Sequence, residues 1–541
     1  MAFKILRATH MARVALVCMS LVAVVALATL TNPPTTRAAS PSAQWPMFGQ
    51  NYNNTASGST NINTANIRVL KPKWTFTTSG DVSARAAVVN KVAYFPDWGG
   101  NIYAVNAIDG KLIWSKNILT DYFFGSVPDH PGVTKVVSRT SAFVDTASNT
   151  VYLGTQTDAH LLAIDTASGT LKWMTRLDPH PLAIDTTSPI VYNGVVYVGV
   201  ASLEEAAAAD PNYPCCSFRG SAVALNSATG QILWKTYMVP DGYTGGSIWG
   251  STLVPDPTRN ALYVTTGNNY STPPAYQTCI ANGGTAETCR SPNNHFDSVL
   301  SLSMTTGAIN WATWLTSVDD WNVACFNSGV DAANCPEAAG PDFDFGSGVN
   351  LLTIQTANGP RTILGAGQKS GVYSAFDPST GVLLWATQVG PGSALGGIQW
   401  GSATDGKRIY VGIGNLYGIP YTLQPSGQVI NAGSWSALDP LTGQILWQTA
   451  DPNGALDLGP MTVANGIVYA PSMAGGATSP NMFALNAATG GILWSFASGG
   501  SVIAGASIAY DTVYWGSGYS NLGIPGFTGN NKLYAFTLTG Q

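Results

Sequence analysis

The chain has 541 residues, a formal net charge of −5, only 10% charged residues, 59 glycines and 10% aromatic residues. A chain of this length forms one large repeat domain or about three ordinary domains. The low charge and the lack of a Lys/Arg-rich run argue against a nucleic-acid-binding protein, which needs a basic surface, whereas many glycines and tryptophans favour closely packed β-structure with many turns.

The first predicted element is a secretory signal peptide. Three basic residues precede an apolar run over 14–30: Lys4, Arg7 and Arg13. This order is typical of an export signal, with cleavage after Ala28 or after Ala38. We therefore predict that residues 1–38 are a signal peptide and that the protein is exported to the periplasm or the extracellular space. The alternative is a membrane anchor at this segment; no later stretch is long and apolar enough to span a bilayer.

A sequence repeat follows along the rest of the chain. Its seven full copies are NIYAVNAIDGKLIW (101–114), HLLAIDTASGTLKW (160–173), SAVALNSATGQILW (221–234), SVLSLSMTTGAINW (298–311), VYSAFDPSTGVLLW (372–385), SWSALDPLTGQILW (434–447) and NMFALNAATGGILW (481–494). An alternating apolar strand runs into an Asp/Asn-x-x-Thr-Gly turn, and a second strand ends on Trp. An eighth copy, KLYAFTLTG (532–540), stops before its Trp.

The repeat predicts the fold. Most copies are preceded by another apolar strand, such as VYLGT (151–155) or IYVGIG (409–414), so each unit is a sheet of about four antiparallel strands. Eight such sheets arranged radially form an all-β, eight-bladed β-propeller, which we assign to residues 40–541 as one domain. We expect 45–59 to supply the missing last strand and close the ring. The recurring tryptophans are predicted to pack between adjacent blades.

The cysteines predict disulfide bonds. Cys18 falls in the signal peptide, and six cysteines remain: Cys215, Cys216, Cys279, Cys289, Cys325 and Cys335. An even number in an exported chain favours disulfides. The simplest pairing bonds Cys279 to Cys289 and Cys325 to Cys335, each ten residues apart, and leaves the adjacent Cys215 and Cys216. A bond between neighbours closes a strained ring and is uncommon, so two small buried side chains, or halves of two separate bridges, are the alternatives.

The repeat A-x-[DN]-x-x-[TS]-G-x-x-x-W resembles that of the quinoprotein family, the alcohol dehydrogenases that use pyrroloquinoline quinone (PQQ). Non-catalytic propellers such as the outer-membrane assembly scaffold share it, so a scaffold that binds protein or polymer is the alternative function. Four features look most like the subgroup that oxidises polyvinyl alcohol: WPMFGQ (45–50), 87–107, the order SLEE…PCCSFRG (202–220) and TGNNYS (266–271). The resemblance covers the whole mature chain. It implies oxidation of secondary alcohol groups, in polyvinyl alcohol or a related polyol.

The resemblance also implies a set of metal ligands. The segment VYVGVASLEE (196–205) is similar to the family's strand that ends on a calcium-binding Glu, which indicates Glu204, with Glu205 as the alternative. The segment 245–268 is similar to the stretch in which a Trp lies flat under the quinone and an Asn ligand follows, here Trp249 and Asn268.

Two later segments complete the implied catalytic set. PDFDFGSGVNLL (341–352) resembles the region of the catalytic Asp, which indicates Asp344 as metal ligand and proton acceptor, with Asp342 as the alternative. QKSGVYSAFDPSTG (368–381) resembles the strand whose basic residue contacts the quinone oxygens, here Lys369.

In this family a disulfide between neighbouring cysteines often covers the quinone on the face opposite the Trp. The resemblance therefore implies that Cys215 and Cys216 form such a lid, and that Arg219 contacts a PQQ carboxylate. In methanol-oxidising members the pair precedes the calcium Glu, whereas here it follows Glu204.

The implied cofactors are PQQ and Ca²⁺. Glu204, Asn268 and Asp344 would offer hard oxygen ligands, which suit Ca²⁺. The sequence has no CxxCH motif for covalent haem attachment. Electrons would therefore pass to an external acceptor, for which a soluble cytochrome c is the expected partner.

Overall fold

The computed structural model describes residues 44–326, 333–337 and 339–540, so the predicted signal peptide lies outside the described residues. Within them, eight four-stranded antiparallel sheets follow one another along the chain. They form an eight-bladed β-propeller, which confirms the predicted fold. In blades 1 to 7 the third strand in chain order begins a copy of the sequence repeat. The side chains of this strand are buried on both faces of the sheet.

The strands of blades 1 to 4 are, in order, Ala87–Val89, Val92–Pro96, Asn101–Asn106 and Leu112–Asn117; Phe143–Asp145, Thr150–Gly154, His160–Asp165 and Leu171–Arg176; Ile190–Tyr192, Val195–Ser202, Ser221–Asn226 and Ile232–Tyr237; Val254–Asp256, Ala261–Thr265, Ser298–Ser303 and Ile309–Trp314. Those of blades 5 to 8 are Asn350–Thr356, Gly359–Gly367, Val372–Phe376 and Leu383–Gln388; Ala403–Thr404, Ile409–Ile413, Ser434–Leu438 and Ile445–Ala450; Thr462–Ala464, Ile467–Pro471, Met482–Asn486 and Ile492–Phe496; Ser507–Ala509, Thr512–Ser517, Lys532–Thr537 and, from the N-terminal side, Lys71–Thr77.

The ring is closed by Lys71–Thr77, which pairs antiparallel with Lys532–Thr537. The prediction that 45–59 supplies this strand was wrong. That segment is rich in Asn and Gly and forms turns, and its Ser57–Gly58 pairs instead in parallel with blade 7. Lys71–Thr77 alternates in burial and carries a Trp at the position where the eighth repeat lacks one.

The recurring tryptophans join neighbouring blades, as predicted. The indole Nε1 of Trp114, for example, donates to the carbonyl oxygen of Thr166 in the turn of blade 2 at 2.9 Å. Gly169 in that turn has φ +70°, and a Cβ there would come within 2.9 Å of the indole. Trp74 makes the corresponding bond to Ala107 at 3.1 Å, so the strand that closes the ring also supplies the eighth tryptophan.

The remaining elements are short. Two further pairs of short strands are antiparallel: Thr244–Gly245 with Asn269–Ser271, and Tyr421–Thr422 with Val429–Ile430. Ala183–Ile184 extends blade 3. The helices are Glu204–Ala207, Pro274–Ala281 and Ala286–Cys289, with 3-10 turns at Ile67–Val69 and Val323–Phe326 and a π turn at Ile118–Tyr122. No helix among the described residues is long and apolar enough to cross a membrane.

The described part of the chain contains three disulfide bonds: Cys215–Cys216, Cys279–Cys289 and Cys325–Cys335. They confirm the two ten-residue loops and the bond between neighbours. The Cys279–Cys289 bond ties together the two helices inserted into blade 4.

We expect Trp447→Ala to lower the free energy of unfolding by about 3–5 kcal/mol, as is usual for deletion of a buried Trp side chain. Trp447 is 4% exposed, packs over Gly490 and donates to the Ala487 carbonyl at 3.1 Å. Urea unfolding followed by fluorescence measures the loss. Trp447→Phe is the control that keeps an aromatic ring and removes the hydrogen bond. Equal stability of Trp447→Ala and the unmodified chain would contradict a role in joining blades.

Candidate active site

A cavity of about 190 Å³ lies where the blades converge. Its lining residues come from two kinds of segment: those entering the first strand of a blade, such as Trp249, and those leaving the second strand, such as Lys369. In an antiparallel pair the start of one strand and the end of the next lie at the same edge. The propeller therefore gathers these segments at one face.

Asp344 lies in the segment that leads into blade 5. It is 2% exposed and holds three donors: the backbone N–H of Asn268 reaches Oδ1 at 2.6 Å, while Nε1 of Trp249 and Nζ of Lys369 reach Oδ2 at 2.7 and 3.3 Å. These bonds fix the orientation of the carboxylate. Oδ2 has two partners and Oδ1 has one, so Oδ1 keeps a lone pair that can accept a proton or bind a cation.

Lys369 follows the second strand of blade 5 and is buried. Its Nζ lies 2.8 Å from Asp342 Oδ1 and 5.2 Å from the centre of the Trp249 ring. Burial by itself would lower the pKa of Lys369, but the carboxylates of Asp342, Asp344 and Glu205 raise it overall. The ammonium group is therefore a permanent positive charge beside Asp344. Asp342, the alternative to Asp344, pairs with this lysine and does not line the cavity.

The structure separates the two glutamates of blade 3. Glu204 does not line the cavity: its carboxylate accepts from the backbone N–H groups of Ser217 at 2.8 Å and Phe218 at 2.7 Å and from the Tyr213 hydroxyl at 2.9 Å. Burial would raise the pKa of Glu204, but these donors and His180 lower it overall. Glu204 thus anchors the loop that carries the cysteine pair.

Glu205 is the glutamate that lines the cavity. Its Oε1 is buried, and no described residue donates to it. Burial and the nearby Asp344 raise the pKa of Glu205 to about 8. A buried carboxylate without a donor is costly unless a ligand or cation satisfies it. Glu205, the alternative from the sequence, therefore has the geometry expected of a metal ligand.

Asn268 lies beside Asp344 and is 1% exposed. Its amide Nδ2 donates to the carbonyl oxygens of Asn269 at 3.1 Å and Trp321 at 2.7 Å. Because both of these neighbours are acceptors, the side-chain atom that faces them is the amide nitrogen, which is a donor. The side-chain oxygen faces away from them, and no described residue donates to it.

Trp249 forms a flat wall of the cavity. Besides its bond to Asp344, its ring meets Trp400 edge-on at a centroid distance of 5.2 Å. A Cβ at position 346 would come within 2.6 Å of the indole, so Gly346 is needed for this placement. The predicted aromatic surface is thus present beside the acidic and basic groups.

Five predicted residues do not line the cavity: Glu204 and Asn268, described above, and Cys215, Cys216 and Arg219. Cys215 and Cys216 are half-buried, and Cys216 packs against the apolar core of blades 3 and 4. Arg219 pairs with the exposed Asp241 at 2.5 Å and lies over the Tyr237 ring. The short link from the cysteine pair to Arg219 runs along the blade edge, where Arg219 pairs with the backbone of Gly245.

Sequence reasoning missed Arg139, the arginine that does line the cavity. Its guanidinium stacks over Trp400 at 4.4 Å and donates to the Tyr519 hydroxyl at 2.9 Å. Its position in the repeat could have identified it. Arg139 lies just ahead of the first strand of blade 2, and other blades also place residues from this position in the cavity.

Among the described residues, no group of three or more His, Cys, Asp or Glu side chains is arranged to hold a metal ion alone. The cavity offers two carboxylates, Glu205 and Asp344. Asn268 does not line it, but its backbone N–H donates to Asp344 Oδ1, which brings its amide group close to that carboxylate. An all-oxygen set that includes an amide suits Ca²⁺ better than zinc.

Sequence comparisons find relatives of this chain. The PQQ_2 family model, described as outer membrane protein assembly factor BamB, matches residues 71–313 and 431–540. A polyvinylalcohol dehydrogenase of Pseudomonas sp. is 30% identical over 92% of this chain and 77% of its own length. Another from Sphingopyxis sp. (strain 113P3) is 29% identical over 89% of this chain and 74% of its own.

Solved structures share the fold. The quinohemoprotein alcohol dehydrogenase of Comamonas testosteroni superposes with a TM-score of 0.66 at 19% identity, covering 92% of this chain and 81% of that one. A europium-containing methanol dehydrogenase gives 0.67 at 17% identity, covering 92% and 98%. BamB from Moraxella catarrhalis gives 0.51 at 13% identity, covering 86% and 99%.

The chain is a propeller of the PQQ-dependent alcohol dehydrogenase class. Within that class the chain belongs to the polyvinyl alcohol dehydrogenase family. It is an alcohol oxidoreductase of the PQQ-dependent type.

Proposed function

We propose that this protein is an exported, PQQ- and Ca²⁺-dependent dehydrogenase that oxidises secondary alcohol groups in polyvinyl alcohol or a related polyol. The observation that carries the proposal is the convergence of Glu205, Asp344, Lys369 and Trp249 on one cavity. The two relatives that are 29–30% identical are polyvinylalcohol dehydrogenases, which supports the substrate class.

The residues present fit both cofactors. Glu205, Asn268 and Asp344 would hold Ca²⁺, since each has an oxygen without a donor or with room for another partner. PQQ is flat and carries three carboxylates. The Trp249 indole would stack against it, and Arg139, which also lines the cavity, offers a cation for a carboxylate.

When bound, PQQ is the two-electron oxidant that receives hydride from the alcohol carbon. The chain supplies the groups around that transfer. Asp344 Oδ2, which Lys369 holds at the longer distance of 3.3 Å, accepts the proton of the substrate hydroxyl as a general base, and Oδ1 remains for Ca²⁺. Lys369 holds Oδ2 of the same carboxylate and places a positive charge beside the reacting atoms. Trp249 fixes the carboxylate from its other side.

An apolar wall supports a substrate with a hydrocarbon backbone. Leu395, Leu458 and Ile503 line the cavity, together with Leu522, Ile524 and Phe527 from the long loop of blade 8. Asp81 anchors that loop: it accepts the backbone N–H groups of Ser520 at 2.6 Å and Asn530 at 2.9 Å. A chain of methylene and hydroxyl-bearing carbons would place its CH₂ groups on this wall.

A surface groove supports a polymeric substrate. The groove has a volume of about 570 Å³ and is lined partly by Phe343, Ser370, Pro391 and Tyr421. Phe343 directly precedes Asp344 in the chain, and Ser370 directly follows Lys369. The groove and the cavity therefore adjoin the same two segments of backbone, and an extended chain could lie in the groove.

Three disulfide bonds among the described residues support export, because such bonds persist in oxidising compartments. A soluble cytochrome c remains the proposed electron acceptor. The outer-membrane scaffold shares the fold, but a scaffold has no need of a buried lysine held between two carboxylates.

The proposal is tested by dye-linked oxidation of polyvinyl alcohol, 2,4-pentanediol and 2-butanol by the purified chain, with PQQ plus Ca²⁺ or PQQ plus EDTA. We expect activity only when both PQQ and Ca²⁺ are present, and higher kcat/KM per hydroxyl for the polymer. Activity in EDTA equal to that in Ca²⁺ would contradict the metal requirement. Oxidation of none of the three alcohols would contradict the substrate class.

The pKa of Glu205 predicts how Ca²⁺ binding depends on pH. A carboxyl group with a pKa near 8 must release its proton to bind a cation. Affinity should therefore rise about tenfold per pH unit from pH 6 to 8 and level off above pH 8. Titration calorimetry of Ca²⁺ into the PQQ-free chain measures this slope, with Glu205→Gln as the control that removes it. A flat profile would show that Glu205 is not a ligand.

A further inference from the structure

A second, smaller chamber lies beside the cavity and shares part of its wall. Its volume is about 30 Å³, room for roughly two water-sized particles. Arg139, Thr186, Trp400 and Ile503 line both spaces. The rest of the chamber is formed mainly by Arg85 and by serine hydroxyl groups.

Arg85 occupies a position that other blades give to short residues. It lies two residues before the first strand of blade 1. The corresponding residues of blades 2 to 8 are Ser141, Ser188, Thr252, Gly348, Gly401, Pro460 and Gly505. Only blade 1 sends a long, charged side chain inward from this position.

The guanidinium of Arg85 is buried, with 2% of the residue exposed. Its terminal nitrogens donate to neutral groups: the carbonyls of Phe48 at 2.6 Å and Met461 at 3.0 Å and the Thr462 hydroxyl at 2.9 Å. Among the described residues, Nε has no acceptor. It lies beside Gly505, where a Cβ would come within 2.4 Å of it.

The rings of Trp45 and Phe48 lie 5.3 and 4.8 Å from the Arg85 guanidinium, but the chamber wall supplies no counter-charge to it. None of the described residues that line the chamber is acidic, and a second arginine, Arg139, also lines it. Burial lowers the pKa of Arg85 to about 9, with no carboxylate to offset it, so the side chain still carries its charge at neutral pH. A buried charge without a counter-charge is strongly destabilising.

Three serines of the wall have hydroxyl hydrogens to donate. Each oxygen already accepts one bond: Ser83 from Trp98 Nε1 at 2.8 Å, Ser141 from the Arg85 backbone N–H at 3.0 Å, and Ser188 from the Ser141 backbone N–H at 2.9 Å. Within the described part of the chain, none of the three donates in turn. The wall thus presents several donors and two cations.

We propose that this chamber binds one small monovalent anion of the size of chloride, held by Arg85 and the hydroxyl groups of Ser83, Ser141 and Ser188. The wall matches an anion in charge and in donor content, and the volume suits a monatomic ion. The site does not depend on the proposed oxidation of alcohols.

Bromide identifies the occupant directly, because it scatters anomalously and replaces chloride. Crystals of the PQQ-free chain are soaked in sodium bromide and measured at the bromine absorption edge. We expect one anomalous peak in the chamber, in contact with Arg85 and at least one of the three hydroxyls. An ordered water without anomalous signal would overturn the proposal, and so would a peak confined to the larger cavity beside Arg139.

Thermal unfolding provides a second readout in solution. At constant ionic strength, replacing gluconate by bromide should raise Tm by about 1–2 °C per tenfold increase in bromide above its Kd. Ser83→Ala removes one donor and should reduce the shift, whereas Ser495→Ala, on an exposed strand of blade 7, should not. Equal shifts in Ser83→Ala and the unmodified chain would contradict the site. Ser83→Ala keeps Arg85 in place, so the test does not rely on a variant that fails to fold.

Discussion

Asp344→Asn is expected to lower kcat by about 10²–10⁴-fold, the usual contribution of a positioned general base. The asparagine amide is nearly isosteric with the carboxylate, but one of its two terminal atoms is a donor. It therefore cannot accept from Asn268 on one side and from Trp249 and Lys369 on the other. It also lacks the basicity to take the hydroxyl proton. Steady-state kinetics with saturating PQQ and Ca²⁺ measure the loss.

Asp320→Asn is the matched control for Asp344→Asn. Asp320 is also a buried aspartate, lies in the same long segment between blades 4 and 5, and accepts from Thr272 at 3.2 Å, but it does not line the cavity. Its replacement should leave kcat within a few-fold of that of the unmodified chain. If both variants lost activity equally, the loss would reflect folding, and Asp344 would have no special role.

Glu205→Gln is expected to weaken Ca²⁺ binding by more than about 100-fold, because even second-shell partners of a metal contribute 10–100-fold to affinity. The substitution removes a ligand charge and leaves a neutral amide in the cavity. Glu204→Gln is the adjacent control. Its carboxylate is occupied by Ser217, Phe218 and Tyr213, so its loss should affect the stability of that loop more than the affinity for Ca²⁺.

Calcium titration of the two variants separates the glutamates without measuring activity. The account predicts a large rise in Kd for Glu205→Gln and a small one for Glu204→Gln. The opposite order would show that Glu204 is the calcium ligand, as the family resemblance implied.

The repeat made the fold predictable, because its period, turn and tryptophan each report local structure. The prediction of which strand closes the ring was wrong, because Lys71–Thr77 carries the eighth Trp without the turn motif that marks the other copies. The tryptophan at the repeat's end identified packing between blades, and Trp74 follows the same rule from the other end of the chain.

The candidate site was predictable where a side chain's direction follows from its strand. Trp249, Asp344 and Lys369 enter the cavity from segments at blade ends. Glu204 and Glu205 are neighbours at the start of a short helix, where adjacent side chains point about 100° apart, and sequence does not say which one faces inward. Arg139 and Arg85 lie in segments without a motif, and only the three-dimensional arrangement brings them to the cavity and the chamber.

Binding of PQQ by the purified chain tests the central claim most directly. Equilibrium dialysis with PQQ, followed by its absorbance, is carried out in Ca²⁺ and in EDTA on the unmodified chain and on Trp249→Ala. The account predicts one PQQ per chain in Ca²⁺, weaker binding in EDTA and weaker binding without the Trp249 ring. No binding at micromolar PQQ in the presence of Ca²⁺ would contradict it and would leave a propeller whose cavity serves another ligand.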